Sequence, residues 1–184
     1  MFIQTEATPN PLTLKFNPGV PVMESGTLFL TSAEEAKTSP LAQELFRTEG
    51  VTAVFLGSDF ITVTKNKAQE WETLKPLLLS AIMDHFVAGK PVVISAAERP
   101  AANDNEGDSD IVKQIRELID MRVRPAVAQD GGDIIFRGFH DGIVQLELHG
   151  SCSGCPSSTM TLKAGIENML KHYVPEVVAV EAVS

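Results

Sequence analysis

Hydrophobic positions recur along this chain with two periods, and each change of period marks a change of element. Near the start, Leu12, Leu14 and Phe16 alternate with polar residues, the period-two signature of a half-buried strand. Val51 to Phe55 and Phe60 to Val63 are β-branched or aromatic runs on either side of Gly57-Ser58-Asp59, which predicts two more strands joined as a hairpin. Ahead of that hairpin, Ser39-Pro40 reads as an N-cap and a first-turn proline opening a short helix. That helix carries Leu41, Leu45 and Phe46 on one face, with Gly50 beyond its end. Trp71, Leu74, Leu78, Ile82 and Phe86 recur at three- and four-residue steps. They predict a longer amphipathic helix that stops near Gly89 and is bent, or begun, at Pro76.

The second half repeats the theme with helices leading. Ile111, Ile115, Leu118, Ile119, Val123 and Val127 form one helical stripe, with Pro125 expected to kink its last turn and Gly131-Gly132 to end it. A hairpin follows. A two-residue Asp141-Gly142 turn would set Arg137 opposite Leu146, whereas a three-residue loop, His140-Asp141-Gly142, pairs Phe136 with Leu146 and Ile134 with Leu148. The three-residue loop is therefore the expected one. Pro156 is placed to open a second helix with Leu162, Ile166, Met169, Leu170 and Tyr173 inside. Pro175 ends it, and Val177 to Val180 suit a last short strand.

Between the halves, Ala96 to Ser109 offers almost nothing to bury, and its small, acidic, proline and glycine residues suit a flexible acidic linker. The expected architecture is α+β: two small α+β domains, residues 1–95 and 110–184, joined by a linker at 96–109. The chain has 184 residues, 43% hydrophobic, enough for two modest cores. Its formal charge is −9, with 8 Lys/Arg against 11 Asp/Glu up to Ala102 and 7 against 13 beyond it, so neither half is basic. With one Trp and one Tyr besides nine Phe, it lacks the basic patches and stacking rings of a nucleic-acid surface. The N-terminus has no signal-peptide pattern, and runs such as Pro76 to Leu79 are too short to span a bilayer. The expectation is a protein of a reducing compartment, with the cytoplasm as default. The mitochondrial matrix is the alternative if a targeting segment has been removed.

The chemistry rests on the only two cysteines, Cys152 and Cys155, in Gly150-Ser151-Cys152-Ser153-Gly154-Cys155-Pro156. They fall where a predicted strand gives way to a predicted helix, so both thiols are expected at the positive end of a helix dipole, which favours thiolate. Two thiolates at this spacing clamp one metal centre, yet a zinc site or iron–sulfur cluster usually takes four ligands. Three readings stay open: metal or cluster binding with ligands from elsewhere, thiol–disulfide exchange, and a structurally incidental pair. A thioredoxin-like motif carries its proline inside the pair, whereas Pro156 follows it. His149 is the one histidine near enough in sequence to join a zinc site, but the hairpin register puts its side chain on the face opposite Val144, Leu146 and Leu148. His85, His140 and His172 read as structural. So does Asp130-Gly131-Gly132-Asp133, where glycine supplies a left-handed residue after the helix and the aspartates hold the turn.

Taken together, Asp130-Gly131-Gly132-Asp133, Gly150-x-Cys152-x-x-Cys155-Pro156-Ser157-Ser158, Thr161-Leu162 and Gly165-Ile166-Glu167 resemble the C-terminal domain of NifU and the Nfu proteins. The opening Met1 to Pro11, with Leu14-Lys15-Phe16, Pro18-Gly19, Ser39 to Ala42 and Asp59 to Lys65, is similar to the N-terminal domain of Nfu proteins. The resemblance implies a scaffold or carrier, not an enzyme, with Cys152 and Cys155 binding a [4Fe–4S] cluster shared between two subunits. The partners it implies are upstream cluster assembly proteins, apo iron–sulfur proteins as recipients, and a cluster-dependent homodimer. A thiol–disulfide oxidoreductase and a zinc-stabilised interaction module are the competing readings.

Overall fold

The computed structural model of the chain describes residues 1–94, 109–153 and 156–183. It divides into two compact units, Met1–Arg99 and Pro100–Ser184. The linker expected at 96–109 lies, Ser109 apart, outside the described residues.

In the first unit the strands β1 (Gln4–Ala7), β2 (Thr13–Asn17), β3 (Leu28–Leu30), β4 (Val51–Leu56) and β5 (Ile61–Lys65) form one antiparallel sheet in the order β1-β2-β5-β4-β3. Phe16, Val54, Leu56, Ile61 and Val63 share a core with Leu41 and Leu45 of α1 (Pro40–Phe46) and with Leu74, Leu78 and Ile82 of α2 (Trp71–Val87). Ser39 caps α1 as its sequence implies: its Oγ accepts the Ala42 N–H at 3.2 Å and donates to the Val92 carbonyl at 2.6 Å. The longer helix begins at Trp71, so Pro76 lies inside it and does not open it. The alternating and β-branched runs pair as expected. The sequence pattern does not reveal β1, whose residues are exposed or half-exposed, or the three-residue β3.

In the second unit, β6 (Gly132–His140) and β7 (Ile143–Gly150) form an antiparallel hairpin, and β8 (Ala179–Val183) lies parallel to β7. The crossover to β8 is α5 (Pro156–Tyr173), opened by Pro156 and ended before Pro175. Ile134, Val144 and Leu146 of the sheet are buried with Ile115, Ile119, Val123, Val127, Ile166 and Leu170.

Two expectations about this unit are corrected. Ile134 does pair with Leu148 and Phe136 with Leu146, but the loop is the two-residue Asp141-Gly142 turn, with His140 opposite Ile143. Both turn residues have positive φ, 51° and 79°, the mirror-image geometry that matches strand twist. A bulge between Phe136 and Gly138 absorbs Arg137 and restores the register. The second correction concerns the first helix of the unit, whose irregularity precedes Pro125. It runs as α3 (Asp110–Leu118), one turn of π-helix (Ile119–Val123) and α4 (Arg124–Gln129). Arg124 N–H reaches back to the Ile119 carbonyl. Ile115, Ile119, Val123 and Val127 follow at steps of four, and an α-helix at 3.6 residues per turn would rotate such a row away from the core. The wider π-turn keeps all four buried.

Candidate functional site

The site is built where the start of β6 meets the end of β7. Gly132 pairs with Gly150 and Asp133 with His149 as the last rungs of the ladder. Just beyond, Gly131 (φ 78°) ends α4 and Gly150 (φ 69°) ends β7, both in the left-handed region that a side chain disfavours. Their backbones turn the chain so that residues 151–153 fold against residues 130–132. Ser151 N–H donates to the Gly131 carbonyl at 3.3 Å, its hydroxyl donates to the Asp130 carbonyl, and Ser153 N–H returns to the Gly150 carbonyl at 3.1 Å. From α5, the Thr159 hydroxyl donates to the Cys152 carbonyl at 3.1 Å.

Cys152 sits in this turn as part of the hydrophobic core, only 5% exposed. Burial pushes its thiol up to about 11; the Ser151 hydroxyl pulls it back in part, and the Asp130 and Asp133 charges push it further up. The expectation that the helix dipole makes a ready thiolate here is therefore overturned for Cys152. Desolvation of a buried anion outweighs the partial charge of a helix end. Cys155, the other expected ligand, lies outside the described residues.

Asp133 does more than hold a turn. Its buried carboxylate takes two hydrogen bonds from Arg124, Nε to Oδ1 at 3.0 Å and Nη2 to Oδ2 at 3.1 Å, and Oδ1 also accepts Ile134 N–H at 2.8 Å. Arg124 Nη1 donates to Asp120 Oδ1 at 3.2 Å. The hydrogen bond to Asp133 is the main cause holding the Arg124 guanidinium above its ordinary pKa. Sequence reasoning missed Arg124. The only hint was a basic residue at the start of a helical turn and an acidic one nine positions on.

His149 lies on the sheet face bearing Glu147, with Nε2 2.7 Å from Glu147 Oε1. Burial pushes the Glu147 carboxyl up, but the hydrogen bonds from His149 and Arg137 together outweigh it and hold the group below its usual range. Among the described residues, no three His, Cys, Asp or Glu side chains are grouped to hold a metal ion. His85 is fully buried in the first unit, and the exposed His140 ends β6. The His172 ring stands edge-on to Tyr173 at 5.0 Å.

Residues 3–89 match the family described as "Scaffold protein Nfu/NifU N terminal", and residues 115–181 match the "NifU-like domain". Over all 184 residues the chain is 54% identical to the human "NFU1 iron-sulfur cluster scaffold homolog, mitochondrial", spanning 72% of that protein. It is 51% identical to the protein of the same name from Drosophila virilis, spanning 62% of it. A solved NifU-like protein from Saccharomyces cerevisiae aligns with 52% of the chain and 86% of its own length, at 26% identity and a TM-score of 0.47. With two domain matches in the right order and a relative more than half identical along the whole chain, the protein belongs to the Nfu family of iron–sulfur cluster scaffolds, which are carriers and not enzymes.

Proposed function

We propose that the chain carries a [4Fe–4S] cluster as cargo, held between two copies by Cys152 and Cys155 of each, and releases it to apo-proteins. The observation that carries this reading is ligand arithmetic within a scaffold family: the chain has two cysteines, and a cubane cluster takes four thiolates. A second copy supplies the rest. Held by two short turns at an interface, the cluster stays within reach of an acceptor's thiolates, which replace the carrier's one at a time. Upstream assembly proteins load it by the reverse exchange. The first unit, joined through the segment at 96–109, raises the effective concentration of a recipient near the cargo. The matching relatives are mitochondrial by name, which favours the mitochondrial matrix over the bacterial cytoplasm as its setting.

A thiol–disulfide role fits less well, because a nucleophilic cysteine needs an accessible thiolate and Cys152 is buried with its thiol raised to about 11. The test is anaerobic reconstitution with iron and sulfide, followed by metal analysis and sedimentation. The expected product is brown, holds about two iron atoms per chain and sediments as a dimer, while the unloaded chain favours the monomer. Cys152→Ser and Cys155→Ser should each abolish stable loading with the fold retained. A fully loaded monomer, or wild-type iron and sulfide in either variant, refutes the shared-cluster reading. A fragment covering residues 108–184 should accept cluster if the second unit contains the whole site. A folded fragment that cannot be loaded would place part of the site in the first unit.

A further inference from the structure

Three backbone positions near Cys152 are glycine, Gly131, Gly132 and Gly150, and they are glycine for different reasons. Gly131 and Gly150 have left-handed φ. Gly132 does not; it lies in β6 with backbone angles open to any residue, so conformation does not require a glycine there. Space does. A Cβ added at Gly132 would lie 2.9 Å from Cys152 Sγ, 2.7 Å from the His149 carbonyl oxygen and 3.3 Å from Val127 Cγ1. The first two separations are closer than real Cβ contacts allow, and the carbonyl belongs to the ladder rung beside it, so it has little freedom to retreat.

We infer that Gly132 is a positioning residue for cargo binding: the hydrogen it carries in place of a side chain forms the seat on which Cys152 Sγ rests. This deepens the proposed carrier function and rests on it. The seat is rigid from both sides. Arg124 clamps the next residue, Asp133, and the two Ser151 hydrogen bonds tie the turn back to Asp130 and Gly131. Sγ is thereby held inward, among Val127 and the core, in a turn whose start and end are fixed. Gly132 thus sets the position from which Cys152 Sγ serves as a ligand.

The experiment compares Gly132→Ala with wild type in the full chain, using Gly165→Ala as control, since a Cβ at Gly165 meets nothing within 4 Å. In a Cys155→Ser background, where Cys152 is the sole thiol, alkylation by iodoacetamide is followed by mass spectrometry under native conditions. Wild type should react about a hundredfold slower than in urea, labelling only through local opening, and Gly132→Ala about tenfold faster than wild type. With both cysteines present, Gly132→Ala should lose reconstituted cluster to a chelator faster than wild type, and Gly165→Ala should not. Lower stability alone would shift the melting temperature without this native-state exposure of one thiol. A folded Gly132→Ala with wild-type alkylation and retention overturns the inference. Should Gly132→Ala fail to fold, the wild-type measurement decides: a native thiol that alkylates as fast as in urea has no seat. If wild type takes up no iron and sulfide, the carrier reading fails instead, and the alkylation arm still reports on the seat.

Discussion

Replacing Arg124 by Met removes the guanidinium and keeps both the apolar stem and a helix-compatible residue. It strips two hydrogen bonds from the Asp133 carboxylate, whose side chain is 6% exposed, while Ile134 N–H still donates to Oδ1. Removing one partner of a fully buried ion pair costs about 3–5 kcal/mol. Here the Arg124 side chain is 40% exposed, so water already screens part of the attraction and the expected loss falls to about 2 kcal/mol. For a unit of this size that corresponds to a fall of about 8–16 °C in melting temperature. The Asp120 contact adds little, since Asp120 is 61% exposed.

Calorimetry of the full chain measures the loss, and hydrogen exchange at Ile134 assigns it to the second unit. The transition of the first unit should stay in place. The sharper test is the double-mutant cycle. In Arg124→Met/Asp133→Asn the group left behind is a neutral amide, so at least half of the lost stability should return. An Arg124→Met variant within about 0.5 kcal/mol of wild type would refute the reasoning, as that is the range of surface substitutions without a structural role. So would a double variant no more stable than the single.

Ser39→Ala should destabilise the first unit by about 1–2 kcal/mol, because the fully buried hydroxyl both caps α1 and holds the Val92 carbonyl; thermal unfolding of the full chain reads it. The pH dependence of the same unit should trace to His85, fully buried, with Nδ1 3.6 Å from Glu44 Oε2 and neither ring nitrogen hydrogen-bonded among the described residues. Burial, opposed by Glu44, lowers its folded-state pKa, so its contribution to stability is complete above the unfolded value of about 6.5 and is lost as pH falls below it, by at most about 1.4 kcal/mol per pH unit. His85→Leu should flatten stability between neutral and mildly acidic pH; an unchanged slope would exonerate His85.

What the sequence disclosed, it disclosed through residues whose neighbours in space are neighbours in a repeating pattern. Leu74, Leu78 and Ile82, or Ile166 and Leu170, are buried because the helix period makes them so. Ser39-Pro40 and Pro156 mark helix starts through local backbone chemistry alone. The failures share a different cause. β1 has no buried alternation to display, because its side chains are mostly exposed. The turn at Asp141-Gly142 is hidden because a two-residue loop contradicts the core register unless a bulge intervenes, and nothing in the type of Arg137, the residue that supplies it, announces one. The π-turn was hidden in plain spacing: three successive steps of four already exceed what an α-helix keeps on one face. The cysteine pair was legible as chemistry, but the burial of Cys152 depends on the end of β7 returning beside the start of β6, and the Arg124–Asp133 clasp on the turn that carries α4 into β6, neither of which residue types disclose.

That return also explains why the dipole expectation failed at Cys152 without weakening the proposed ligand role. A helix end offers a thiolate about 0.3–1 kcal/mol, and about 2 in favourable partly buried cases. Against it stand removal of the sulfur from water and the charges of Asp130 and Asp133, which together hold the proton on the thiol. Such a cysteine is a poor nucleophile and a poor target for oxidants, since both reactions need thiolate. Metal binding reverses the balance, because a metal centre supplies the positive charge that the fold withholds and displaces the proton on coordination. In the proposed role, then, the burial of Cys152 and a bound cluster act on its thiol in opposite senses, so the dipole's failure to favour thiolate in this fold does not count against ligation.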